Sequence, residues 1–331
     1  MNKNMPRYYM SAYFDNKDLF LSPKVSQHGN HMVMTNVYKE TKKKFWNIDT
    51  RFRDDYDNYS QIVSGSQIPG YTFTLPQTIN DVKMIQVNNI EVPMTFYNIS
   101  AALGNNVLTI DNKLVTILDG FYSAASLKLA MTTALSLASV SGVSFDISYN
   151  GNPYSFFQNT SGSPITIGFA VKPSNSCGGV TNPAVASTGD FDKYNFKSKL
   201  GWLLGFRNIS YTVANGTAQL SEGVLDLTIP RYLYLVVDEF TNSNSNSFIS
   251  PLPSSIINRN ILAKITIDYK HYPFGTILTA NPTNGLLISD KRRYNGKVNI
   301  QKLKIQLVNE YGLPIHLNGS DFSFCLEIEY E

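Results

Sequence analysis

The side chains able to do chemistry are few in this sequence and poorly spaced for it. Of the four histidines, His28 and His31 stand three apart with Gly29 between them, which argues against a shared helical face. His271 sits between Lys270 and Tyr272, and His316 lies in the loop-like stretch GLPIHLNG. Neither has a cysteine or second histidine at zinc-ligand spacing. Cys177 and Cys325 are too few for a disulfide framework or a thiolate zinc site. Asp54, Asp55 and Asp57 would suit a hard cation through oxygen ligands, but Arg51 and Arg53 beside them favour a charge-compensated surface loop. No phosphate-binding glycine loop, HExxH, GxSxG or CxxC occurs. The expectation is a protein that is not an enzyme, with no catalytic residue, no metal and no cofactor.

The elements that would position any site read as strands. Of 331 residues, 43% are hydrophobic and 16% charged, with 33 Asn, 20 Tyr and 19 Phe. Asparagine favours turns and aromatics favour pleated surfaces. Alternation with a period of two marks Tyr71/Phe73/Leu75, Phe145/Ile147/Tyr149, Ile165/Ile167/Phe169, Ile265/Ile267/Tyr269 and Leu303/Ile305/Leu307. It is clearest from Phe322 to Tyr330, where apolar residues alternate with Asp321, Ser323, Cys325, Glu327 and Glu329. The YLYLVV run, 232–237, is apolar on both faces and reads as a central strand. Residues 82–92 change phase between Met84 and Ile85, which predicts a bulge or burial on both sides. Asn-Gly pairs at 150, 215, 284, 295 and 318 supply turn chemistry, and Asn150-Gly151 is placed to close a hairpin. One amphipathic helix is expected over about 123–139, with Leu127, Met131, Ala134, Leu135 and Ala138 inward and Ser123 or Ser126 capping. Roughly ten short strands favour a jelly-roll or Greek-key β-sandwich.

Charge divides the chain. Residues 1–45 hold eight Lys or Arg against three acids, a net +5, so the remainder of the +3 total is −2. With no periodicity and with Pro6, Pro23 and Gly29, residues 1–45 read as a basic, extended N-terminal arm, and 46–331 as the jelly-roll body with helical and loop insertions. No run of 18 or more apolar residues exists, so no transmembrane helix is expected. The six Asn-x-Ser/Thr sequons are adequately explained by chance in a chain this rich in Asn, Ser and Thr and are expected to stay unmodified; the polar run 242–247 reads as a loop tip, the short basic triplet Lys291-Arg292-Arg293 as solvated surface, and no specific nucleic-acid binding is expected.

Several stretches carry a resemblance. FWNIDTRFRDDY (45–56), YTFTLPQTINDVKMIQVNNIEVP (71–93), KLGWLLGFR (199–207), IPRYLYLVVDEF (229–240) and the C-terminal run 298–330 follow one another in an order and spacing similar to minor capsid or penton-type proteins of nucleocytoplasmic large DNA viruses, mimivirus-like ones especially. The resemblance spans about residues 45 to 331 and not the arm. It implies a jelly-roll virion protein, made in the host-cell cytoplasm, that fills or seals an icosahedral shell, best as a pentamer at five-fold vertices. Implied partners are further copies of itself, the major capsid protein and other minor capsid proteins. A double jelly roll fits less well, because 286 body residues are short for two sandwiches. Within this picture Arg51 and Arg53 serve as forks for carboxylates and Phe52 as an apolar anchor for a partner. The competing reading of the same residues is a first strand whose arginines pair locally with Asp54 and Asp55. Two other functions stay open: a lectin-like sandwich for host attachment through glycans, and a sandwich glycosidase needing paired carboxylates.

Overall fold

The computed structural model describes residues 41–54, 71–148, 150–169, 196–240, 260–312 and 314–331. The arm (apart from Thr41 onward), Tyr149, Asp55, Asp57, Cys177, His28, His31 and the run 242–247 lie outside them. The architecture is mostly β, built from curled antiparallel sheets with few helices, as expected of a jelly-roll-type sandwich.

One long strand organises the first sheet. Strand β2 (Tyr71–Pro93) is 23 residues long. Its partners are β15 (Ser323–Tyr330) on one edge and, along the other, β14 (Arg292–Asn309) and then β12 (Ile277–Ala280). Beyond β15 lies β1 (Lys42–Asp49), so the arm boundary set at 45 falls inside a strand. Beyond β14 come β10 (Tyr232–Asp238), β11 (Ile261–Thr266) and β13 (Leu287–Ser289). The sheet then returns on itself. Val87 N–H donates to Ser289 Oγ at 3.0 Å, and Gln86 Nε2 to the Ser289 carbonyl at 3.1 Å. The strand farthest from β2 in pairing order thus closes against it, and one core fills the enclosed space.

The phase change in 82–92 is real. Val82, Met84, Ile85, Val87, Ile90 and Val92 are all buried, and the pairing register slips near Val82–Met84 and near Asn88. Each slip adds a residue and bends the strand. Asn295-Gly296 departs from expectation: it interrupts β14 where the register to β2 shifts, not a hairpin tip, and Gly296 takes φ 147° there. Strand β10 is central as expected. Leu233, Leu235 and Val237 enter the main core, while Val236 packs the opposite face with Ile261 and Val308.

The sequence between β2 and β10 makes a second core. A four-stranded sheet is formed by β3 (Val107–Ile110), β4 (Lys113–Thr116), β7 (Ile165–Gly168) and β8 (Ser210–Val213). A three-stranded one is formed by β5 (Val143–Asp146), β6 (Tyr154–Asn159) and β9 (Ala218–Val224). Helix α1 (Ala124–Leu137) begins at Ser123, whose hydroxyl accepts from Ser126 N–H while Ser126 answers to the Ser123 backbone. Its buried residues are Leu127, Met131, Ala134 and Leu135, four of the five expected, and Ala138 packs at the core's margin. A short helix α2 (Leu200–Leu203) completes this core with Phe157, Phe169 and Phe206. Gly201 is required there, since a Cβ would meet the Phe169 ring at 2.4 Å. Asn150-Gly151 lies in the seven-residue connection between β5 and β6, with φ of 50° and 77°, the positive values this pair is suited to. Residues 46–331, read from the sequence as one body, therefore bury their apolar side chains in two clusters.

A buried ion pair fastens the first core at the end of β10. Arg292 donates to Glu239 (2.8 Å), to the Val237 carbonyl (2.8 Å) and to the Asn260 carbonyl (2.9 Å), and Tyr294 OH donates to Glu239 at 2.7 Å. Burial, and then the Glu239 charge, push the Tyr294 phenol upward. Removing one member of such a pair leaves an uncompensated charge. Arg292→Ala is expected to lose about 3–5 kcal/mol, and Leu326→Ala in β15 about 2–5 kcal/mol. Urea unfolding checks both, and a midpoint unmoved by Leu326→Ala would place β15 outside the core.

Candidate functional site

Four strands form a row whose register is fixed by paired residues. Asp49 of β1 pairs with Ser323 of β15, Ser323 with Glu91 of β2, and Glu91 with Thr279 of β12. One residue along, Ile48, Phe324, Ile90 and Ala280 all turn into the core. Directly opposed residues share a face, so the Asp49 row faces outward. Ser323 Oγ donates to Glu91 at 3.0 Å across that face, and Lys43 Nζ meets Glu327 at 2.5 Å. This contact raises the Lys43 ammonium and lowers the Glu327 carboxyl.

Both margins of this polar face are apolar and open. On one margin, β1 pairs with β15 alone among the described strands, and Phe45 is 63% exposed. On the other, β12 pairs with β2 alone among the described strands, and Ile277 is 61% exposed. Phe274, also exposed, stacks on Phe121 at 4.9 Å and on Tyr97 at 6.3 Å, which fixes that margin to the second core's chain segment. Three inter-strand spacings separate the margins, about 14 Å. Phe45 and Ile277 were not singled out from the sequence, although each stands one residue out of phase with buried neighbours, Ile48 and Leu278.

The predicted partner-binding residues sit at the end of the β1 margin. Asp49 caps a 3-10 turn, Thr50–Phe52, by accepting from the Arg51 N–H. Arg51 also forks onto Asp49, with its guanidinium 2.5 Å away, and this holds the Asp49 carboxyl below its usual range. Phe52 projects with 77% of its surface exposed, the Arg51 guanidinium 5.8 Å from its ring. Arg53 turns the other way. It is buried, donating to Asp321 and to the Thr50 carbonyl, each at 2.9 Å, with the Tyr71 ring beneath it. Neither arginine uses Asp54, whose carboxylate accepts from Thr74 N–H and OH. Of the three, Phe52 and Arg51 face solvent, and Arg53 fastens the turn to the segment before β15.

Among the described residues, no group of three His, Cys, Asp or Glu is placed to hold a metal ion, and no helix is long and apolar enough to cross a membrane. His271 pairs with Asp268 at 2.6 Å on the surface. His316 is half-buried, and burial pushes its imidazole downward.

No family model matches the chain, and no curated protein matches it. Solved structures do. The chain is similar to the mavirus penton protein, at 10% identity and a TM-score of 0.40, over 88% of this chain and 100% of that one. It is similar also to a chain of the Sputnik virophage structure, at 13% identity and a TM-score of 0.34, over 88% of this chain and 98% of that one.

Two predictions separate the roles of these residues. Arg53→Ala strands the Asp321 carboxylate and is expected to lower the urea midpoint by an amount equivalent to about 3 kcal/mol. Arg51→Ala is expected to leave the midpoint in place; equal losses would mean that both arginines are structural. For His316, the folded state favours the neutral ring, so its contribution is whole above pH 6.5 and is lost as pH falls below that value. Thermal melts from pH 7.5 to 5 are expected to show a decline that His316→Gln makes shallower.

Proposed function

We propose that this chain is a structural virion protein, a minor capsid or penton subunit that fills or seals an icosahedral shell as a homopentamer at five-fold vertices. The sequence resemblance over residues 45 to 331 supports the capsid role. The observation that carries the ring is the pair of apolar, open margins on one rigid four-strand row. A closed ring of identical copies needs a heterologous contact, in which one patch meets a different patch on the next copy. Phe45 on β1 and Phe52 on the turn that follows it supply one patch; Ile277 on β12 and Phe274 just before it supply the other. Each lies beside a strand that pairs on one side only among the described strands, so strand-to-strand hydrogen bonds can extend the row from copy to copy. The three lysines at the start of β1 discourage pairing of β1 with another β1, because like charges would then crowd together. The major capsid protein and other minor capsid proteins are the remaining partners of such a ring.

Two single variants and their mixture test the ring. Phe52→Asp blocks one margin and Ile277→Asp the other, and each alone is expected to be a folded monomer by native mass spectrometry. Mixed, they retain one intact margin of each kind and are expected to form one-to-one dimers and nothing larger. Rings from either variant alone would contradict the margin-to-margin contact. A failure of both variants to enter particles while native rings form normally would place the shell contacts, too, at these margins.

A further inference from the structure

One arginine on the surface of the second core is fixed in place although it is exposed. Arg207 follows Phe206, whose side chain is buried in that core. Its guanidinium lies over the Trp202 indole, 4.1 Å from the ring centroid. Nη1 donates to the Trp202 and Phe206 carbonyls, each at 3.1 Å. Gly223 of β9 leaves the room that the group occupies, since a Cβ there would meet Nη2 at 2.5 Å and Cζ at 3.1 Å. The main chain is held as well. The Arg207 and Asn208 N–H groups donate to Tyr211 OH at 3.0 and 2.9 Å, and Tyr211 OH donates to the Glu222 carboxylate at 2.7 Å. Glu222 also accepts from the Arg207 N–H at 3.0 Å and from Asn208 Nδ2 at 3.2 Å. That carboxylate anchors the backbone, and among the described residues the guanidinium makes no ion pair.

We infer that Arg207 and Trp202 form a docking site for an acidic side chain of a partner protein. A surface arginine samples many rotamers, and ordering it is part of the cost of a contact. Here the ordering is done before a partner arrives. With Nη1 turned to two carbonyls, Nε and Nη2 form an edge whose paired N–H groups match the two oxygens of a carboxylate. The half-buried indole offers apolar surface to the stem of that side chain, and Lys197 Nζ, 5.4 Å from the same ring, adds positive charge. Tryptophan and arginine are the types that carry most energy at protein contacts. A carboxylate fits better than a phosphate. The Arg207 and Asn208 N–H groups, which could cradle a phosphate, are taken by Tyr211 and Glu222, and the Glu222 charge repels a dianion more than a single carboxylate. The site lies on the second core, whereas the ring contact uses the margins of the first sheet.

Trp202 can report on its own site, without particles or rings, so the outcome is separate from that of the proposed function. In the full chain, Trp46→Phe leaves Trp202 as the sole indole. Its fluorescence is titrated at low ionic strength with capped hexaglutamate, capped hexaglutamine, inorganic phosphate and hexathymidylate. Hexaglutamate is expected to give a saturable change that added salt weakens, and hexaglutamine none. Arg207→Lys keeps the charge and loses the fork, and is expected to bind hexaglutamate about tenfold more weakly. Arg207→Gln is expected to abolish the response, with thermal melts checking that each variant is folded. Should Arg207→Gln fail to fold, Arg207→Lys and the comparison of glutamate with glutamine on the Arg207 protein still decide. Equal responses to hexaglutamate and hexaglutamine, an unchanged affinity in Arg207→Lys, or tighter binding of phosphate or hexathymidylate overturns the inference.

Discussion

The structure depends on β2 being shared by both flanks of a closed sheet. A strand of 23 residues cannot stay flat against one core, and its apolar residues do not keep one phase. Met84 and Ile85 are adjacent and both buried, which demands cover on both sides of the strand. The register slips at Val82–Met84 and near Asn88 supply the bend. With that bend, β14, β13 and β12 run along one edge of β2 and β15 along the other, and the far end of the sheet comes home at Ser289. The core that results is enclosed by strands contributed from both ends of the chain.

Rigidity of this kind is what the proposed role requires. Neighbours in a shell are held at set angles only if the contacts lie on elements that do not shift against one another. The outward row Asp49–Ser323–Glu91–Thr279 is braced below by Ile48, Phe324, Ile90 and Ala280. At one margin Arg53, Asp321 and Thr50 fasten the turn that presents Phe52. At the other, stacked Phe121, Phe274 and Tyr97 fix the start of β12. Exposed apolar side chains standing on braced edges differ from scattered surface hydrophobics, because their geometry is already set before a partner arrives.

Much of this was legible in the sequence where local pattern and burial coincide. The alternation from Phe322 to Tyr330, the all-apolar run at 232–237 and the helix with its serine cap each follow from residues close together in the chain. Closure of the sheet was not legible, since it rests on Val87 meeting Ser289, about two hundred residues away. The fate of Arg53 was hidden for the same reason: Asp321 stands 268 positions on, while Asp54 and Asp55 offered nearer partners that it does not take or that lie beyond the described residues. Asn295-Gly296 showed turn chemistry that the fold uses as a bulge, because β14 must bend with β2. Two cores in place of one could not be read from periodicity, which tells which face is buried and not against what.

A density map of assembled particles, resolving side chains at the five-fold vertex, tests the central claim most directly. The account predicts five copies of this chain there, with Phe52 of each packed against Ile277 and Phe274 of the next and β1 lying along the neighbour's β12. A vertex in which those residues face solvent, or one built without this chain, would contradict it.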